Sequence, residues 1–236
     1  MKDQKLKKAL KLYQLDKNKD AIAILESEVF FENPDALSLL GDIYYSTSKS
    51  CGGVSRSLSK ARKYWLKASS LDNVSATREL ASMYYFGEGV KPNNKKAEHY
   101  WQKAADIGDA LAKFNLANFY YDEAHDKIDR AIVLYNDLIG QQEFVENCYL
   151  KLGRIFYRGL GVERDAQKAF DWLSKGAKIE HGLCCMDLSL MYYRGEATKK
   201  DKSKAISLVM TASQTDWLKE DAIAVAELMR KGSLLN

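Results

Sequence analysis

Two prolines, Pro34 and Pro92, are all that the 236 residues contain. Proline removes a backbone donor and breaks helix interiors, so its scarcity leaves long stretches free to be helical. Cysteine is nearly as rare. Cys51, Cys148, Cys184 and Cys185 follow no regular spacing, which argues against a disulfide-stapled scaffold and for reduced thiols. No apolar run approaches the roughly 18 residues needed to span a bilayer. The charged start, MKDQKLKKALKLYQLDKNKD, holds no core for a secretory signal. These absences predict a cytoplasmic location and no membrane insertion. An excess of one charge is lacking too: 36 basic residues against 32 acidic leave a net charge of +4, which weighs against nucleic acid as a partner.

What is present is a repeat. A helix leucine returns at Leu40, Leu80, Leu116, Leu152 and Leu188. A small residue follows it each time: Gly41, Ala81, Ala117, Gly153 and Ser189. Small residues there let two helices approach closely. Four before the leucine stand Ala36, Ala76, Ala112, Cys148 and Cys184, and four after it Tyr44, Tyr84, Tyr120, Phe156 and Tyr192. Spacing of four places these on one buried stripe. A second helix opens with a basic residue and alanine, at Lys60-Ala61, Lys96-Ala97, Arg130-Ala131, Lys168-Ala169 and Lys204-Ala205, with bulky residues three and four places on. Each unit therefore reads helix, loop, helix.

The pattern predicts one continuous solenoid domain: a degenerate N-terminal helical repeat over 1–35, five repeats at about 36–74, 75–109, 110–146, 147–182 and 183–215, and a capping helix within 216–236. Helices are expected over Lys5 to Leu15, Lys19 to Phe31 and, at the far end, Lys219 to Lys231. Atypical ends suit a repeat array, whose terminal units face water.

The motif A-x3-L-G/A-x2-Y-x2-G-x-G-V, followed by D/N-x2-K-A-x2-W, resembles the Sel1-like repeat, a relative of the tetratricopeptide repeat. It is clearest at Gly87-x-Gly89-Val90 and Gly159-x-Gly161-Val162. The resemblance implies an all-α fold, a right-handed α-solenoid of antiparallel helix pairs. It also implies a non-enzymatic scaffold or adaptor between proteins, with no catalytic residues and no cofactor to carry over.

The chemistry-bearing residues fit that expectation. The glycine pairs follow helices rather than strands, so they predict helix C-caps with positive φ and not a dinucleotide loop. His181-x-x-Cys184 is half of a zinc site with no second half in view, and Cys184 occupies the packing slot of the repeat. An enzyme or metal site near His181, Cys184 and Cys185 is the weakest expectation. More informative is the residue five after each leucine, which is tyrosine throughout: Tyr45, Tyr85, Tyr121, Tyr157 and Tyr193. These rings either pack between repeats or line the concave face of the solenoid, where tyrosine makes a good binding surface. Positions two and six after the leucine share that face. They read Asp42 and Ser46, Ser82 and Phe86, Asn118 and Asp122, Arg154 and Arg158, Leu190 and Arg194; the position before the leucine adds Glu79, Asn115, Lys151 and Asp187. The face thus turns basic around Lys151, Arg154, Arg158 and Arg194. The expected partner-binding set is Tyr45, Tyr85, Phe86, Asn118, Tyr121, Lys151, Arg154, Tyr157, Arg158, Tyr193 and Arg194. The expected partner is a protein or peptide with an acidic surface. The alternative expectation is a bacterial immunity or antitoxin protein that neutralises a cognate toxin.

Overall fold

The computed structural model describes residues 2–27, 32–46, 54–122 and 125–233, and among these every regular element is helical. Two helices lead, α1 (Lys2–Gln14) and α2 (Asn18–Leu25). Five pairs follow: α3 (Pro34–Ser46) with α4 (Leu58–Ser70), α5 (Val74–Phe86) with α6 (Asn94–Asp106), and α7 (Ala110–Asp122) with α8 (Ile128–Gly140). Next come α9 (Val145–Arg158) with α10 (Ala166–Lys178), then α11 (Gly182–Arg194) with α12 (Lys202–Ala212), and finally α13 (Lys219–Lys231). The second helix expected over Lys19 to Phe31 is shorter than its sequence suggests. It ends at Leu25, with Glu26 as its C-cap, and residues 28–31 lie outside the described residues, as do Cys51 and the glycines of the first loop.

Side chains start and stop these helices as the motif implies. Asn73, Asn93, Asp165 and Asp201 each accept a bond from the backbone N–H three residues on, at 2.8 to 3.0 Å. Such caps satisfy donors that the first turn leaves free. At the other end Gly87, Gly159 and Gly195 take left-handed φ values of 72°, 67° and 77° and donate to the carbonyls of Met83, Ile155 and Met191. Only glycine adopts that conformation at no steric cost.

The lysine of the basic-alanine pair has a structural use that spacing alone does not reveal. Lys60 lies 4.6 Å above the Tyr44 ring, Lys96 4.8 Å above Tyr84 and Lys168 5.3 Å above Phe156. The cation covers the aromatic of the first helix from the start of the second.

The chain divides into two compact units, Met1–Leu116 and Ala117–Asn236, with the boundary inside α7. In the first unit, Gly41 lies under the indole of Trp65, which is 1% exposed and donates from Nε1 to Asp42 at 2.9 Å. In the second, the Tyr135 hydroxyl donates to Asn118 at 2.8 Å. The polar residue two after the anchor leucine therefore holds the aromatic of the second helix in both.

Cys184 and Cys185 are both fully buried, in two different core clusters flanking α11. Cys184 packs with Leu150 and Leu173, and Cys185 with Val209, Ala212 and Ala222. One step along a helix turns a side chain by about 100°, which is enough to send neighbours into two cores.

Candidate partner-binding cleft

In the second unit, Arg154, Tyr157 and Arg158 share one face of α9 through spacings of three and four. Asp187, Leu190 and Arg194 share one face of the neighbouring α11 by the same rule. With Leu173 of α10 beneath, they enclose a cleft of about 160 Å³. The floor of the cleft is a departure from the aromatic of the earlier repeats. Leu173 stands where the first three pairs have Trp65, Trp101 and Tyr135, and Val209 of the last pair departs in the same way. It approaches Gly153 much as Trp65 approaches Gly41, with only 2.7 Å from its Cγ to where a Cβ would stand. A leucine fills less space than an indole and has no N–H or O–H to offer. Arg154, at the position of Asp42 and Asn118, has no aromatic donor to hold and turns instead toward α11.

There Arg154 donates to Asp187 through Nε at 2.6 Å and through a terminal nitrogen at 3.4 Å. Burial works against its charge, but these bonds more than offset that, and its pKa is pushed up further. Arg194 donates to the Tyr157 hydroxyl at 3.1 Å and stands 3.9 Å from Glu196. Arg158 is exposed and has no ion pair among the described residues. Beside the cleft, Lys151 reaches Asp122 at 3.8 Å and covers the Tyr121 ring at 3.9 Å. Burial lowers its pKa, Arg154 and Arg158 push the same way, and Asp122 opposes them.

The tyrosines five after the anchor are not equivalent. Tyr121 and Tyr193 are buried, at 9% and 8% exposure, whereas Tyr45, Tyr85 and Tyr157 are half-buried. Tyr45 donates to Glu88 of the next repeat at 2.5 Å and carries Arg56, which donates to its carbonyl. Tyr157 carries Arg164 in the same way, and Arg164 pairs with Glu196 at 3.0 Å. In the first unit, Phe86 is 69% exposed and meets Tyr85 edge-on. Of the expected set, α9 and α11 bring together Arg154, Tyr157, Arg158 and Arg194. Tyr45, Tyr85 and Phe86 belong to the first unit, and Asn118 is occupied by Tyr135. The expected set omitted Asp187, Leu190 and Leu173. Asp187 and Leu190 stand on the expected face by spacing, and the signal for Leu173 is a leucine where the first three pairs have an aromatic.

The His181 Nδ1 lies 3.2 Å from the Cys184 sulfur. Burial pushes the Cys184 thiol up to about 12 and keeps it protonated, a poor nucleophile and a poor ligand. No group of three metal-binding side chains occurs among the described residues, and none of their helices is long and apolar enough to cross a membrane.

Comparison with known proteins points one way. The family model described as the Sel1 repeat matches residues 34–73, 74–109, 147–181 and 182–208. It does not match the expected copy over 110–146, where the loop glycines are missing and α8 lacks the tryptophan. No curated protein matches the sequence. Among solved structures, a Sel1 repeat protein from Oxalobacter formigenes is similar with a TM-score of 0.74 at 21% identity, over 95% of this chain and 87% of that one. A protective antigen of uropathogenic Escherichia coli strains, c5321, described as displaying an SLR fold, has a TM-score of 0.74 at 23% identity. The match covers 97% of this chain and 49% of that one, so the chain spans about half its length. Both likenesses show the fold, an α-solenoid of helix pairs. Sel1 repeat proteins generally mediate protein–protein interactions. With four matched repeats covering more than half of its length, the chain belongs to the Sel1 repeat family.

Proposed function

We propose that the protein is a non-enzymatic adaptor that holds a protein or peptide partner on the face of its first helices, the concave face of a solenoid, and that the partner presents an acidic surface to the cleft between α9 and α11. The observation that carries this reading is Arg158, an exposed guanidinium at a cleft with an apolar floor, left without an ion pair among the described residues. A guanidinium in that position offers paired hydrogen bonds to a carboxylate. Arg194 and the half-buried Tyr157 extend the surface. In the first unit, Tyr45, Tyr85 and Phe86 add aromatic area of the kind that contributes most at interfaces.

The test is capture from an extract of the source organism, with wild-type protein and an Arg158→Glu/Arg194→Glu variant immobilised in parallel and bound proteins quantified by mass spectrometry. The variant should retain its circular dichroism and melting temperature while losing at least one captured protein by tenfold or more. Identical capture by both proteins refutes the assignment. Arg154 is the wrong residue for this purpose. Its removal strands Asp187 half-buried and costs about 1–3 kcal/mol of stability, so lost capture would not separate binding from folding.

A further inference from the structure

We infer that the cleft between α9 and α11 is a site for a phosphorylated side chain of the partner. This rests on the preceding proposal that the partner is a protein and specifies its chemistry.

Charge is the first ground. The groups lining the cleft are three guanidiniums and one carboxylate, an excess of two positive charges. Arg154 and Asp187 neutralise each other in their paired bonds. Arg158 and Arg194 supply the remainder, and Glu196 draws on Arg194 only at 3.9 Å. A phosphomonoester carries close to two negative charges at neutral pH, which matches that excess; a carboxylate carries one.

Donor count is the second. A phosphate has three free oxygens that accept from several directions, and clusters of arginine are how proteins commonly meet them. The Arg194 bond to Tyr157 uses one of its nitrogens. Because the Tyr157 oxygen accepts that bond, its own proton remains available to a ligand. Arg158 has its whole fork free of ion pairs among the described residues. The donors therefore come from both helices, whereas a lone exposed arginine would hold an anion from one side.

Size and floor are the third. The cleft, about 160 Å³, is comparable with an engineered cavity of roughly 150 Å³ that takes up a benzene ring. That leaves room for a tetrahedral group and the carbons that carry it. Leu173 and Leu190 present apolar surface to those carbons and exclude water beneath the anion, where a lower effective dielectric strengthens the pairing.

The experiment follows the arginine Nε–H signals of the full-length 15N-labelled chain by NMR. The probes are N-acetyl-phosphoserine amide, its glutamate counterpart and inorganic phosphate. The phosphoserine probe should shift the Arg158 and Arg194 signals saturably and bind at least tenfold more tightly than the glutamate probe. The advantage should shrink as pH falls through about 6, where a phosphomonoester gains a proton. Arg158→Gln should weaken the phosphoserine probe at least tenfold without changing the melting temperature. Absence of saturable shifts, equal affinity for the glutamate probe, or unchanged affinity in Arg158→Gln each overturns the proposal. Inorganic phosphate binding more tightly than the phosphoserine probe overturns its assignment to a side chain. Lost capture in the Arg158→Glu/Arg194→Glu variant without any phosphate response leaves the adaptor reading standing and removes this one. Phosphoserine binding with unchanged capture removes the adaptor reading and, with it, the assignment of the phosphate to a partner's side chain.

Discussion

Asp42 is a carboxylate held among buried groups, and its environment carries a pH dependence. Burial is the main cause that raises its pKa from 3.8 to about 6, and the nearby charge of Glu79 adds to it. The Trp65 N–H and Arg78 pull the other way. A folded-state pKa above the unfolded value means that the native protein binds this proton more tightly than the unfolded chain does. The resulting stability is complete below about 3.8 and is lost as pH rises through about 6. Asparagine keeps an acceptor for the indole and cannot ionise. Asp42→Asn should therefore be more stable than wild type at pH 7, by up to about 3 kcal/mol. The difference should close between pH 6 and pH 4, as urea unfolding across a pH series would measure. A variant less stable at pH 7 would show that the carboxylate's bond to Trp65 outweighs its burial. Single residues were the least legible scale in the sequence. Arg154 stood among the binding candidates because helical spacing placed it on the right face. Its pairing with Asp187, 33 positions away, depends on Leu173 withdrawing an aromatic donor, and no pattern within one helix records that.

Helices and their pairing were far more legible. The small residue after each anchor leucine recurs in all five copies. The side-chain cap three before the next basic residue and the glycine after the tyrosines recur in most of them, because all three serve backbone geometry; the copy over 110–146 has neither the cap nor the glycine. The lysine was visible as a pattern but not as a cause, because its partner ring lies on the other helix of the pair. Gly41 tests the close-approach argument. A Cβ there would run into the indole ring of Trp65, which is buried and fixed by its bond to Asp42. Gly41→Ala should lose about 1–3 kcal/mol, the usual cost of overpacking a core, seen as a lower urea midpoint. An unchanged midpoint would mean that α3 and α4 separate freely, contrary to the tight contact described. The short α2 marks where helical periodicity misled: the apolar pattern continues past Leu25, but the helix does not.

For the whole molecule, charge on the first-helix face runs against charge in bulk. The second unit, Ala117–Asn236, contains 17 basic and 18 acidic residues, yet its cleft is basic. The first unit has 19 basic and 14 acidic residues, yet carries Asp42 and Glu79 at the corresponding positions. The arginines at the cleft are thus a local arrangement, and a near-neutral second unit gives little long-range attraction to an acidic partner. Beyond a Debye length of about 10 Å at 0.1 M salt, exposed charges are largely screened. Association with the captured partner should accordingly be slow for a charged pair, on the order of 10⁵–10⁶ M⁻¹s⁻¹, and change little with salt, while dissociation quickens as salt rises. Surface plasmon resonance across a salt series would measure both. An association rate that falls steeply with salt would place the dominant attraction outside the cleft.

Two kinds of stitch run through the repeats. Lys60, Lys96 and Lys168 tie the first helix of a pair to its own second helix. The Tyr45–Glu88 and Arg164–Glu196 contacts tie one pair to the next. In a linear array these correspond to separate quantities, the intrinsic stability of a repeat and its coupling to a neighbour. The first sets how readily a single repeat frays, and the second sets how far that fraying spreads. Because different side chains carry them, the cooperativity of the array can be edited without weakening its individual repeats.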